Sequence, residues 1–215
     1  MAKLVKKEEI QAAELKKKKM KLWGGIAVVA VVCLVGLILL FSLGNKDSGE
    51  IYADIVIQDY GMITIKLDTE SAPITTENFI TLAESGFYDG LTFHRIMEGF
   101  MMQGGDPAGN GTGDAGYTIV GEFLDNGYEN HLSHTRGAVS MARSNDYDSA
   151  SSQFFIVHED STFLDRQYAV FGYVTEGMEI VDAVCENANP IDGNGTILRE
   201  NQPVITSVTI RTGEK

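Results

Sequence analysis

From residue 23 to residue 43 the chain carries 21 residues without a charge, rich in Val, Leu, Ile, Ala and Gly. A bilayer core of about 30 Å takes roughly 20 helical residues, so this run is long enough to span it. It also lacks the polar face that a surface helix keeps. Downstream the pattern changes to short, alternating stretches. Residues 51–58 and 62–67 alternate, with Asp59, Tyr60 and Gly61 between them, and predict a β-hairpin. Residues 91–97, 138–142, 153–157, 169–174 and 204–211 predict further strands. A helix is predicted from Pro73 to Glu84, with Ile74, Phe79, Ile80 and Leu82 as its apolar stripe and Gly86 as its stop. A second, over residues 178–186, follows Gly177 and carries Ile180, Val181 and Val184 on one side. Many short strands, two helices and glycine-rich connections predict an antiparallel barrel or sandwich with helices packed on it. Periodicity does not choose between those two.

Charge divides the chain at the apolar run. Residues 1–22 hold eight lysines against three glutamates, whereas the remainder is strongly acidic and brings the total to −13. Lysines before an apolar span place residues 1–22 in the cytoplasm and everything after it outside, and Trp23 sits at the expected interface. The expected organisation is a basic cytoplasmic segment (1–22), a single-pass anchor (23–43), a short tether (44–49) and an extracytoplasmic domain (50–215). Ser42 and Gly44 would also suit a signal-peptidase cut before Asn45. The run exceeds the usual signal-peptide core of about 7–15 residues, so a retained anchor is the expectation and a secreted form the alternative. So acidic a domain is not drawn to nucleic acid by its own field. Cys33 and Cys185, more than 150 residues apart, make no disulfide framework, and Cys185 reads as a buried helix thiol.

The chemistry concentrates in residues 93–106. Arg95 stands in a β-branched and aromatic run and is followed by Phe100, Met101 and Gln103. A lone cation beside apolar side chains and an amide suits a site that binds and polarises an uncharged carbonyl group. Paired carboxylates, an activated nucleophile and a set of metal ligands are all missing from this stretch. Gly104 to Gly113 is glycine-rich but has no following lysine and no strand-to-helix context, so it reads as a loop beside the groove, not a phosphate cradle. His131 and His134 lack companion ligands for zinc, and Asn145, Asp146 and Asp148 lack the glycine and distal glutamate of a calcium loop.

Phe93-His94-Arg95, Phe100-Met101-Met102-Gln103-Gly104-Gly105-Asp106, Ser152-Gln153-Phe154-Phe155, Phe163-Leu164-Asp165 and Tyr168-Ala169-Val170-Phe171-Gly172 follow one another in a fixed order. Together they resemble the cyclophilin-type peptidyl-prolyl isomerases, over about residues 50–212. The resemblance implies a mainly β fold, a closed eight-stranded antiparallel barrel capped by two α-helices. It implies Arg95 and Gln103 as catalytic residues, the arginine donating to the prolyl nitrogen of a twisted X-Pro bond and the glutamine hydrogen-bonding the substrate and helping to orient the arginine. Phe100, Met101, Phe155 and Leu164 would wall the proline pocket, with Tyr168 at its rim and Gln153 beside it. Ala142 and Arg143 would hold the residue before proline through their backbone. No cofactor and no metal is implied, and the partners would be proline-containing unfolded or exported polypeptides, bound by a monomeric protein.

Some positions depart from the family pattern. Phe163 stands where many eukaryotic members have the tryptophan associated with tight cyclosporin binding, and Tyr168 replaces a common histidine; both are bacterial-like. Arg143 replaces a frequent asparagine, a swap that backbone contacts would tolerate but that would shift preference for the residue before proline towards acidic side chains. Arg166 takes the place of a glycine that adopts positive φ at little cost. The competing functional reading is a proline-peptide-binding chaperone in which turnover is incidental.

Overall fold

The computed structural model describes residues 49–213. The basic segment, the anchor and all but the last residue of the tether lie outside the described residues. Among the described residues no helix is long and apolar enough to cross a membrane.

Eight antiparallel strands form one sheet: β1 (Ile51–Ile57), β2 (Gly61–Leu67), β3 (Thr92–Met97), β4 (Met101–Asp106), β5 (Ala138–Met141), β6 (Phe154–Val157), β7 (Val170–Glu176) and β8 (Ile205–Thr212). Their order across the sheet is β3-β4-β6-β5-β7-β2-β1-β8. The two edges approach each other. Thr92 and Val204 form an isolated bridge, and Phe93 N–H donates to Pro203 O at 3.0 Å beside it. The β1–β2 hairpin turns as its residues require, with Asp59 at φ 64° and Ile57 paired with Gly61.

Strand alternation gives the sheet two apolar faces. Ile55, Ile63, Ile65, Met102, Phe154, Ile156 and Phe171 point into the main core, where Phe79 and Tyr88 join the aromatic packing. Met101, Phe155, Val157, Ala138 and Val170 point the other way, into a second cluster with Phe100, Leu164 and Tyr168. Adjacent residues such as Phe154 and Phe155 therefore serve different faces, as a period of two demands.

Helices α1 (Pro73–Glu84) and α2 (Met178–Glu186) have the predicted bounds and pack against β8 and β2 respectively. The stripe of α1 differs from expectation at its first turn. Ile74 is exposed, while Thr75 and Thr76 are buried. The reason is a cap from outside the helix. Ala72 offers no side-chain acceptor, and the buried Glu122 carboxylate instead accepts from the Ile74 and Thr75 amides and the Thr75 hydroxyl, at 2.7–3.1 Å. Such a carboxylate satisfies orphan amides and complements the helix dipole.

The expected loop over 104–113 is corrected at its start, because β4 runs through Gly104 and Gly105 to Asp106. Glycine there answers close approach. A Cβ on Gly104 would meet Phe93 Cδ1 and Thr92 O at 2.8 Å, and one on Gly105, at φ +79°, would meet Ser152 O at 2.6 Å. Beyond the strand, Asp106 accepts from the amides of Ala108, Asn110 and Gly111 and so shapes the loop that follows. Burial works to raise its carboxyl, but those hydrogen bonds outweigh it and hold the group below the ordinary range.

Behind Phe155 lies a buried polar row. His134 stacks on the Phe155 ring with centroids 5.9 Å apart, its Nδ1 2.8 Å from Asp165 Oδ1 and its Nε2 3.0 Å from Ser140 Oγ. Ser140 and His134 are both fully buried, so this Ser-His-Asp order presents no nucleophile to a substrate and serves to brace the ring. His94, also buried, has no partner on either ring nitrogen among the described residues.

Two outcomes are expected from these features. Gly105→Ala combines positive-φ strain with a backbone clash and should cost about 2–4 kcal/mol, read as a lowered urea midpoint; an unchanged midpoint would mean β4 has slack. Burial lowers the pKa of both His94 and His134, the latter despite Asp165 pulling the other way. Below pH about 6.5 the unfolded chain then binds more protons than the folded one, so stability falls with pH. The urea midpoint should hold from pH 8 to 7 and drop between pH 6.5 and 5, with a smaller drop in His94→Gln; a midpoint independent of pH would contradict this.

Candidate active site

The second apolar face opens into a cavity of about 120 Å³ lined by Arg95, Phe100, Met101, Gln103, Ala142, Arg143, Phe155, Leu164 and Tyr168. An apolar cavity of about 150 Å³ takes a benzene-sized guest, so this one suits a saturated five-membered ring. Nine of the eleven residues singled out from sequence therefore share one pocket. Gln153 and Phe163 stand beside it. Gln153 lines an adjoining groove along Gly113 and Ser149. Phe163 is 68% exposed and leans on Phe100 with ring centroids 5.6 Å apart, so it extends the rim.

Arg95 occupies the polar side of the pocket. It stands on β3 opposite Gln103 on β4, a register that sets the two side chains next to each other. Its Nε donates to Asn194 O at 2.7 Å, its Nη1 to Gln103 Oε1 at 3.3 Å, and its Nη2 contacts Met97 Sδ at 3.4 Å. Gln103 in turn donates to Gln153 Oε1 at 2.9 Å, and Gln153 to Gly113 O at 2.8 Å. The guanidinium lies 5.9 Å from the Phe100 ring centroid. Burial pulls Arg95 below the usual guanidinium pKa, partly countered by Tyr168 and Asp192, yet a guanidinium stays charged through any ordinary pH. Of its five N–H groups, one on Nη1 and one on Nη2 have no partner among the described residues. The result is a fixed cationic donor at the mouth of an apolar cup.

Arg143 forms another wall. Its guanidinium is 4.6 Å from the Tyr168 ring centroid, 4.9 Å from Tyr147 and 5.2 Å from Phe123. Its Nε and Nη1 donate to the carbonyls of Gln167 and Ser144. Tyr147, Phe123 and Gln167 were not foreseen, since nothing in the sequence joins residues 123, 143 and 168. Arg166 itself adopts positive φ, at 69°, although it is not glycine. Two hydrogen bonds from its guanidinium to Asp125 and the Asp125 amide bonded to Arg166 O hold the turn.

Cys185 is buried, and burial pushes its thiol up to about 12, which keeps it an unreactive thiol. His131 is exposed beside Glu129, whereas His134 is in the buried row, so the two histidines do not face a common point. Among the described residues no cluster of three His, Cys, Asp or Glu gathers around a shared centre.

A family model described as cyclophilin type peptidyl-prolyl cis-trans isomerase/CLD matches residues 52–212. Peptidyl-prolyl cis-trans isomerase B of Bacillus subtilis is 43% identical over 145 residues, 67% of this chain and 92% of that protein. Peptidyl-prolyl cis-trans isomerase A of Dickeya dadantii is 42% identical over 139 residues, 60% of this chain and 71% of that protein. Among solved structures, a cyclophilin-type isomerase of Cryptosporidium parvum, crystallised in the presence of the dipeptide Ala-Pro, superposes with a TM-score of 0.66 at 29% identity, covering 75% of this chain and 99% of that one. The family match over residues 52–212 and these relatives show that the chain belongs to the cyclophilin-type peptidyl-prolyl cis-trans isomerases and is an enzyme of that type.

Proposed function

We propose that Arg95 carries the isomerisation by donating a hydrogen bond to the prolyl nitrogen while the proline ring sits in the apolar cup. Amide resonance keeps the X-Pro bond planar behind a barrier of about 20 kcal/mol, and uncatalysed exchange takes tens of seconds or more. When the bond twists, resonance is lost and the nitrogen becomes pyramidal and able to accept. A donor aimed at that nitrogen stabilises the twisted state above either planar one, which is what lowers the barrier. The observation that supports this most is the pair of Nη hydrogens without a partner among the described residues, on an arginine otherwise pinned by Asn194 and Gln103. Phe100, Met101, Phe155 and Leu164 hold the ring, with Phe163 and Tyr168 at the rim. Gln103 and Gln153 orient the arginine, and the Ala142–Arg143 edge pairs with the residue before proline. A module that only bound proline would have no use for so constrained a donor, so the chaperone reading is not favoured.

In this reading the sheet is a closed barrel with its seam at Thr92 and Val204. The enzyme works as a monomer outside the cytoplasmic membrane, tethered by residues 23–43 with residues 1–22 in the cytoplasm, and accelerates folding of exported polypeptides whose slow step is X-Pro exchange. The uncharged 21-residue run behind eight lysines supports the tether. A bacterial-type enzyme of weak cyclosporin affinity is in keeping with Phe163 and Tyr168.

The test is cis–trans exchange of an Ala-Ala-Pro-Phe peptide measured by NMR with the full chain in mild detergent. Arg95→Ala should lower kcat/KM by about 10²–10³, the cost of losing one preorganised donor, with the urea midpoint little changed. A folded Arg95→Ala protein of undiminished rate would remove arginine from the mechanism.

A further inference from the structure

Next to the proline pocket runs a groove lined by Arg95, Arg143 and Arg199 together with His94, Asn110 and Asn194, with no carboxylate in its wall. Residues 49–213 carry seven Lys and Arg against 25 Asp and Glu, so three of the seven cations meet in one place on an acidic domain. The other four are each ion-paired: Lys66 with Glu50, Arg136 with Asp182, Arg166 with Asp125 and Arg211 with Asp54. The three groove arginines make no salt bridge among the described residues. Their acceptors are neutral throughout. Arg95 uses the Asn194 carbonyl and the Gln103 amide, Arg143 the carbonyls of Gln167 and Ser144, and Arg199 the Thr92 hydroxyl and Gln202 amide at 3.3 and 3.4 Å. Asp192, the carboxylate whose charge acts on Arg95, has its Oδ1 taken by the amides of Asn194 and Thr196.

Neutral acceptors position a guanidinium without cancelling its charge. With three such cations and no carboxylate lining it, the groove attracts an anion that enters it. A planar guanidinium also matches carboxylate and phosphoryl oxygens two at a time. Arg95 and Arg143 line both the proline pocket and this groove, whereas Arg199 belongs to the groove alone. A residue adjoining the bound proline lies about 3.3–3.6 Å further along an extended chain, within reach of the same arginines.

We propose that this groove recognises an anionic side chain, carboxylate or phosphoryl, on the residue flanking the isomerised proline, so that the enzyme prefers acidic X-Pro or Pro-X segments. The inference rests on the placement of proline in the pocket argued above. Arg143 is the specificity residue nearest the ring, and Arg199 extends the site beyond it.

The test compares kcat/KM of the full chain for Ala-Ala-Pro-Phe, Ala-Glu-Pro-Phe, Ala-Lys-Pro-Phe, Ala-Ala-Pro-Glu and Ala-phosphoserine-Pro-Phe, each referred to its own uncatalysed rate. At low salt one of the glutamate peptides should exceed its neutral counterpart about two- to fivefold, as expected for exposed pairs, and the lysine peptide should fall below it. The advantage should shrink towards unity at about 1 M salt. Arg199→Gln should leave the Ala-Ala-Pro-Phe rate unchanged and cut the glutamate-to-alanine ratio. A larger gain for phosphoserine than for glutamate makes the phosphoryl group the natural ligand, and an equal or smaller gain makes it the carboxylate. Equal rates for neutral, acidic and basic peptides, or a ratio indifferent to Arg199→Gln, overturn the inference. If no peptide is turned over, the proposed function fails separately. Affinities from chemical-shift titration then decide, and equal affinity for glutamate and lysine peptides overturns the groove.

Discussion

A guanidinium partly withdrawn from water is stable only where fixed acceptors replace its hydration. Arg95 meets that condition through a hydrogen-bonded line across three parts of the sheet. It runs from the Asn194 carbonyl through Arg95 on β3 and Gln103 on β4 to Gln153, just before β6, and ends on the Gly113 carbonyl. Each link has a partner on both sides, so the arginine is oriented without being neutralised. Such a line forms only if β3, β4 and β6 lie in adjacent order with Arg95 opposite Gln103, which is the register observed. The close approach that Gly104 and Gly105 permit belongs to the same requirement, because it lets β4 lie against Phe93 and the Ser152 backbone.

The apolar half of the site follows from the pleat. Phe154 and Phe155 are neighbours in sequence but belong to two different clusters, one filling the core and the other forming the pocket wall. A pocket wall has solvent on one side and needs support on the other. Phe155 obtains it from the His134 ring, which Asp165 and Ser140 hold from opposite ends. Burial tends to raise the Asp165 carboxyl, and hydrogen bonds from the His134 amide, the Ser133 hydroxyl and the His134 ring more than offset it. The brace is therefore charged at one end and dry at the other, and it ties the loop after β6 to strand β5.

Local pattern was enough for the hairpin, for both helices and for most strands, because each depends on residues close in sequence. It failed at β4, where two glycines and an aspartate look like a loop and only contacts from Thr92, Phe93 and Ser152 explain the strand. It failed also at the start of α1, where Ile74 was expected inside but a carboxylate 47 residues away in Glu122 draws Thr75 inward. The pocket residues were legible through a resemblance spread over the domain, since no single Phe or Met declares whether it faces core or site. What no sequence pattern carried was the pairing of charges. Which arginines have carboxylates and which do not depends on distances such as Arg166 to Asp125 and Arg211 to Asp54, 41 and 157 residues apart in the chain.

A double-mutant cycle on kcat/KM tests whether Arg95 acts as a donor oriented by its neighbours. Gln103→Ala, Arg95→Ala and the pair would be measured on one neutral proline peptide, with folding checked by urea midpoint. If Gln103 works by aiming the arginine, the two losses are not independent, and the double variant should be scarcely slower than Arg95→Ala alone. Losses that multiply would mean that Gln103 acts on the substrate independently and does not aim the arginine.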